Sequence, residues 1–178
     1  MRSLVLVILV GAIVFIAGGI LQPVHAPPAC TEPVEAVFSP GLDAKLLALL
    51  ESANESIDVE VFQFSYEPFK EELVEANERG VRVRVILEPR LEGDDNVETA
   101  EFLARHGVEV RWASLSFART HSKFAVIDGK KVFVGSPNWS RSAMLKNREA
   151  AVITWGGSAV KEFVDIFAED WRMASPAN

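Results

Sequence analysis

The sequence predicts an α/β domain, a mixed and largely parallel sheet flanked by helices on both faces. From residue 34 onward, short β-branched runs alternate with stretches whose leucines, valines and phenylalanines recur at helical spacing. Three such strand-helix units in succession favour parallel strands covered by helices. Past residue 120 the alternation gives way to two short apolar runs joined by Asp128-Gly129, a hairpin signal that adds antiparallel strands.

Val34 to Phe38 reads as the first strand, broken by Ser39-Pro40-Gly41, after which Leu42, Leu46, Leu47, Leu49 and Leu50 mark one face of a helix. Ile57 to Phe64 alternates apolar with polar residues at period two. Glu67 to Arg79 then carries Phe69, Leu73, Val74 and Ala76 on one face before stopping at Gly80. Val81 to Leu87 alternates Val with Arg and ends apolar; Asp94 or Asp95 can cap a helix to His106, with Gly107 as its stop. Val108 to Trp112 is the next strand. Thr120 to Ile127 and Lys131 to Val134 form the hairpin, and Glu149 to Thr154 a further strand. Ser158 to Arg172 is a closing helix with Val160, Phe163, Val164, Phe167 and Trp171 inward.

An apolar fraction of 49% with 24% charged residues fits a folded chain and excludes general disorder. The expected organisation is an N-terminal signal peptide or membrane anchor over 1–26, a Pro-rich spacer over 27–33 and one globular domain over 34–174. After Arg2, the uncharged run from Leu4 to Leu21 is long enough to cross a bilayer core of about 30 Å as a helix. Val24-His25-Ala26 has the small-x-small form of a cleavage site, so cleaved signal and retained anchor both stay open. Either fate places the domain outside the cytoplasm. Cys30 is the single cysteine, so stability comes from packing rather than from a disulfide within the chain.

The net charge of −7 is unevenly spread. Residues 27–78 hold 2 basic against 12 acidic side chains, whereas 79–148 hold 13 against 8. That positive segment contains His121-Ser-Lys123-Phe-Ala-Val-Ile-Asp128, then Gly135-Ser136-Pro-Asn138 six residues on, and finally Glu149. His121 and Lys123 are two apart and share a face of a strand, where an imidazole beside an ammonium is costly without a function. The pairing suits phosphoryl chemistry: a neutral imidazole attacks phosphorus while Lys123 and the Asn138 amide hold the non-bridging oxygens, with no metal or other cofactor required. The hairpin returns Gly135 to Asn138 beside the first strand, where Ser136 and backbone N–H groups reach a phosphate. Glu149 is placed to accept the far N–H of His121 and fix its tautomer.

The spacing His-x-Lys-x4-Asp-x6-Gly-Ser-x-Asn resembles the HKD motif of the phospholipase D superfamily. The stretch from Val34 to Trp171 is similar to its short single-motif branch, which includes the bacterial Nuc endonuclease and mitochondrial phospholipase D-like proteins. With Glu149, seven fixed positions at roughly 5% each match by chance about 10⁻⁹ times per start point. The resemblance implies a phospholipase D-like fold and a phosphohistidine intermediate, with a second HKD histidine protonating the leaving oxygen and then activating water. It assigns His121 as nucleophile, Lys123 and Asn138 as phosphate ligands, Ser136 as a supporting donor and Glu149 as the acid that orients His121. Asp128 matches the motif's aspartate and is expected to support the hairpin. One motif supplies one histidine, so the expected partner is a second copy of the chain, with both contributing to a shared site.

The remaining candidates carry less. His25, Cys30 and His106 lack metal-ligand spacing. Trp139 can contact a base or an acyl chain, or pack into the core. Arg119 and Arg141 flank the motif and can widen the phosphate grip or stand in solvent. The expected substrate is a nucleic acid, from the Nuc-type resemblance and the positive segment. A phospholipid or cardiolipin headgroup is the alternative, with the 4–21 segment beside a membrane; a non-catalytic, membrane-tethered phosphate-binding module is the alternative of another class.

Overall fold

The computed structural model describes residues 33–177. The segment 1–26, with its cleavage-site pattern, and Cys30 of the spacer lie outside the described residues. The elements are β1 (Val34–Phe38), α1 (Leu42–Glu51), β2 (Ser56–Val61), α2 (Glu67–Glu78), β3 (Arg82–Leu87), α3 (Asp95–Arg105), β4 (Glu109–Trp112), β5 (Lys123–Ile127), β6 (Lys131–Gly135), α4 (Arg141–Leu145), β7 (Ala150–Trp155), α5 (Gly157–Met173) and β8 (Ser175–Pro176). Every strand and long helix expected from the pattern is present, with ends shifted by a few residues. The five-residue α4, capped by Ser140 Oγ on the Ala143 N–H, and the two-residue β8 were not expected.

The strands form one sheet in the order β1-β7-β6-β5-β2-β3-β4-β8. It is mixed, as expected, but not largely parallel: β2 with β3 and β3 with β4 are parallel, and the other five pairings are antiparallel. The reason lies in β1. Its helix does not return it beside β2; β1 instead crosses to the far edge and pairs antiparallel with β7, from Val34 opposite Thr154 to Phe38 opposite Ala150. Only β2, β3 and β4 keep the parallel arrangement that successive strand-helix units favour.

Neighbouring residues of β5 enter different cores, which puts helices on both faces. Ala125 and Ile127 join the cluster built with Leu42, Leu46 and Leu50 of α1, Phe69 and Leu73 of α2 and Leu103 of α3. Phe124 and Val126 join Val160, Phe167 and Trp171 of α5. Each fully buried Leu or Phe contributes roughly 1.5–3 kcal/mol, so the two layers hold the sheet from both sides. The Val-Arg alternation of β3 is accommodated under α5. Arg84 donates to both carboxylate oxygens of Asp58 at 2.7 and 2.9 Å, and its guanidinium lies 5.0 and 5.2 Å from the ring centres of Phe167 and Trp171.

The hairpin turns where expected. Asp128 and Gly129 have φ of 54° and 60°, and the Lys130 N–H returns to the Ile127 carbonyl at 2.9 Å, the two-positive-φ turn that suits the twist of adjacent strands.

Candidate active site

Lys123 opens β5 and His121 sits two residues ahead of it, where the pairing with β2 continues through the Phe62 N–H and the Ser122 carbonyl at 3.1 Å. His121 is exposed, and its ring rests on Phe62 with centroids 4.4 Å apart. Lys123 is only 6% exposed. Its Nζ donates to the His121 carbonyl at 2.6 Å and lies 3.0 Å from His121 Nδ1 and 5.2 Å from the Phe62 ring centre. An ammonium only donates, so Nδ1 is the acceptor in this contact. Burial pulls the Lys123 pKa down from its ordinary value, and the Glu149 charge works against that fall. The expected juxtaposition of imidazole and ammonium is present.

At the other end of the hairpin, Gly135 closes β6 so tightly against β7 that a Cβ there would lie 2.5 Å from the Ala150 carbonyl oxygen and from Ala151 Cβ. The close approach sets Ser136 on Ala150: the Ser136 N–H donates to the Ala150 carbonyl at 2.9 Å, and Ser136 Oγ accepts from the Ala150 N–H at 3.2 Å. Ser136 Oγ also donates to Glu149 Oε2, while Asn147 Nδ2 donates to Glu149 Oε1 at 3.0 Å. This corrects one expectation. Glu149 makes no hydrogen bond to His121 among the described residues; its oxygens accept from Ser136 and Asn147 instead, and its charge favours the charged lysine.

Asn138 is brought in by non-local pairing. The Trp139 N–H donates to the Gln63 carbonyl at 2.9 Å, the Ser65 and Tyr66 N–H groups both donate to the Trp139 carbonyl at 2.8 Å, and Phe64 and Trp139 form a parallel bridge. Trp139 is fully buried against Phe64 and Phe69, so it packs in the core and meets no ligand. Asn138 Nδ2 donates to Gln63 Oε1 at 3.1 Å, and Gln63 Nε2 donates to Asp95 Oδ2 at 2.7 Å.

Asp128 stands apart from the reacting groups, at the far end of β5. Its Oδ1 accepts from the N–H groups of Glu55, Ser56 and Asn54 at 2.7, 3.0 and 3.1 Å. Burial pushes its carboxyl up, but these backbone donors outweigh that and hold it below the ordinary aspartate range. Arg119 and Arg141 are exposed. His106 caps the end of α3 through Nδ1 and the Phe102 carbonyl, 2.8 Å apart. Among the described residues, no group of three or more His, Cys, Asp or Glu is placed to hold a metal ion.

Comparison with known proteins is decisive for the family, since residues 46–171 match the family model described as cardiolipin synthase, PLD-like domain. The chain belongs to the phospholipase D superfamily. A mitochondrial cardiolipin hydrolase of Xenopus tropicalis is 35% identical over 167 residues, covering 86% of this chain and 76% of that protein. Its Danio rerio counterpart is 32% identical over 154 residues, covering 85% and 65%. The chain spans about half, 52%, of the human counterpart. Among solved structures, Nuc from Salmonella typhimurium, a phospholipase D family member, has a TM-score of 0.76 at 26% identity over 82% of this chain and 97% of that one. NucT from Helicobacter pylori, at 19% identity and a TM-score of 0.73, is similar in fold.

As a member of the phospholipase D superfamily, the chain draws its motif residues from β5, β6 and the start of β7, and their supports from elsewhere. Sequence reasoning missed those supports. Glu60 of β2 is 3% exposed; its Oε1 accepts from Ser122 Oγ, between the two motif residues, and its Oε2 is buried and accepts no hydrogen bond from the described residues. Burial, and the neighbouring Asp170 of α5, raise its pKa to about 7. Glu88, fully buried, accepts the Thr120 N–H at 2.7 Å and the Arg90 guanidinium at 2.6 and 3.0 Å, while Arg90 Nη1 donates to the Phe117 carbonyl at 2.8 Å. The loop leading into His121 is thus tied at two points. The only signal for these residues was polarity inside otherwise apolar runs, as in Val59-Glu60-Val61-Phe62-Gln63-Phe64. A groove of about 640 Å³ lies beside His121, Lys123 and Ser136, walled by Phe124, Val134, Phe163 and Ile166.

Proposed function

We propose that this phosphodiesterase works without metal through a phosphohistidine on His121. The carrying observation is the contact between the buried Lys123 ammonium and the exposed His121 ring, which places a phosphate ligand against a nucleophile. A ring nitrogen of His121 forms a bond to phosphorus and the bond to the leaving oxygen breaks, with Lys123 and Asn138 holding the non-bridging oxygens and Ser136 assisting once its hydroxyl turns from Glu149. The leaving oxygen takes its proton from His121 of the partner subunit. That imidazole then takes a proton from water as the water oxygen replaces the His121 nitrogen on phosphorus. The working unit is accordingly a homodimer, held at or carried across a membrane by residues 4–21, with the catalytic domain extracytoplasmic.

For the substrate, the first reading is DNA or RNA. It is supported by the exposed His121, open to a polymer, and by the exposed Arg119 and Arg141 within the positively charged segment. A phospholipid such as cardiolipin is the second reading. The apolar groove beside the motif favours it, as do relatives named cardiolipin hydrolases. The test incubates the protein in EDTA with plasmid, single-stranded DNA, RNA and cardiolipin or phosphatidylcholine vesicles, beside His121→Asn. Cleavage of nucleic acid by the parent protein, lost at least 10³-fold in His121→Asn, is the expected result. Product from vesicles alone selects the second reading, and activity abolished by EDTA or kept by His121→Asn refutes the mechanism.

A further inference from the structure

We infer that Asp95 and Gln63 are positioning residues that set the polarity of the Asn138 side-chain amide, so that an N–H rather than the carbonyl is offered to phosphate. This rests on the reading of Asn138 as a phosphate ligand and adds two residues to it.

The inference follows from donor and acceptor counting along one chain of contacts. Asp95 is in the first turn of α3, where the helix N-terminus favours negative charge, and an ionised carboxylate only accepts. Gln63 must therefore turn its Nε2 towards Asp95 Oδ2, as it does at 2.7 Å. That fixes Gln63 Oε1 on the opposite side, facing Asn138, and an acceptor there demands a donor: Asn138 Nδ2 at 3.1 Å. Turning Asn138 over would set Oδ1 against Oε1. Turning Gln63 over as well would set Oε1 against the carboxylate. One charge, two side chains away, holds both amides.

The arrangement carries a cost that argues for a function. Asn138 Oδ1 is buried and accepts no hydrogen bond from the described residues, a loss of about 1–3 kcal/mol for a buried acceptor. An asparagine serving only the fold would have no reason to sit at the end of an enforced relay with its carbonyl unsatisfied. The only hydrogen bond that Nδ2 makes among the described residues is the one to Gln63, which leaves its second hydrogen available as the phosphate donor this reading calls for. The relay also joins the two halves of the site, since Phe62, next to Gln63, is the residue on which the His121 ring rests.

The test is a double-mutant cycle on the full chain, read by calorimetric binding of inorganic phosphate and by turnover of bis(p-nitrophenyl) phosphate, a phosphodiester neutral between the nucleic-acid and lipid readings. Asp95→Ala and Gln63→Leu should each weaken phosphate binding and lower kcat/KM by about tenfold, corresponding to one misdirected phosphate donor. Asp95→Asn, whose amide can turn to accept or to donate and so no longer enforces one polarity, should show a loss between those of the parent and Asp95→Ala. In an Asn138→Ala background, Asp95→Ala should have no further effect on phosphate binding. The neighbouring Asp94→Ala, at a position whose side chain makes no cap hydrogen bond, should leave binding and turnover unchanged. Equal losses from Asp95→Ala with and without Asn138, or an equal loss from Asp94→Ala, would overturn the relay. If His121→Asn keeps its turnover while the cycle shows coupling, the covalent mechanism fails and the relay stands.

Discussion

Replacing Glu60 with glutamine should make the protein more stable, and only in one pH range. Glu60 is buried under α5, with its pKa raised from 4.5 to about 7 chiefly by burial. Arg84 lies on the same face but is bound through two nitrogens to Asp58, so it is already committed. Below about pH 4.5 the carboxyl is neutral in both the folded and the unfolded chain. Between 4.5 and 7 only the folded chain keeps the proton, so unfolding releases it and stability falls as pH rises. Above 7 both forms are ionised and the loss is complete. A shift of that size corresponds to about 3 kcal/mol at 1.36 kcal/mol per pH unit. Glutamine is neutral throughout and reproduces the protonated acid, its Oε1 accepting from Ser122 and its Nε2 facing Asp170. Glu60→Gln should therefore match the parent near pH 4.5 and exceed it at pH 8 by about 3 kcal/mol, a rise in Tm of roughly 6–12 °C for a domain of this size. Urea and thermal unfolding across that range measure it. Parallel stability curves, or a variant weaker than the parent at pH 8, would refute the account of Glu60 as a neutral acid.

Two further substitutions probe the hairpin. Asp128→Ala removes the acceptor for three N–H groups and should cost about 1–3 kcal/mol at neutral pH by urea unfolding. Because the Asp128 carboxyl is held below its ordinary range, its contribution is present above the unfolded-state pKa and lost as pH falls through the folded one. The gap from the parent should therefore close in acid, and a gap independent of pH would contradict this. Gly135→Ala should destabilise by about 1–3 kcal/mol and lower phosphodiester turnover, because the backbone that seats Ser136 must move away from Ala150 and Ala151; an unchanged urea midpoint would show the close approach to be loose.

The linear pattern revealed the elements and the chemistry better than the pairing order. Strand and helix periodicity located β1 to β7 and the long helices, and Asp128-Gly129 announced the hairpin because two positive φ angles in a row restrict which residues fit. Periodicity says nothing about which edge a strand joins, so the position of β1 beside β7 was illegible. α4 escaped because five residues make barely more than one turn. The motif was readable because its members lie within one stretch of chain and carry unusual groups. Gln63 and Glu60 contribute from 75 and 62 residues away, to Asn138 and Ser122 respectively. No local pattern records a partner at that distance. Glu149 shows the opposite failure: its presence was legible, but its partner was not, since Ser136 and Asn147 lie as close in sequence as any plausible alternative.

The hydrogen bonds of Asp128 take on another meaning when set against the whole length of β5. The strand runs five residues, about 17 Å at 3.4 Å per residue, with the reactive imidazole beyond one end and this carboxylate beyond the other. A slip of one residue against β2 would carry His121 and Lys123 together to the opposite face and reverse every other side chain of the strand. By gripping the three amides that precede and begin β2, the aspartate works as an alignment pin for the strand whose other end carries the imidazole and the ammonium.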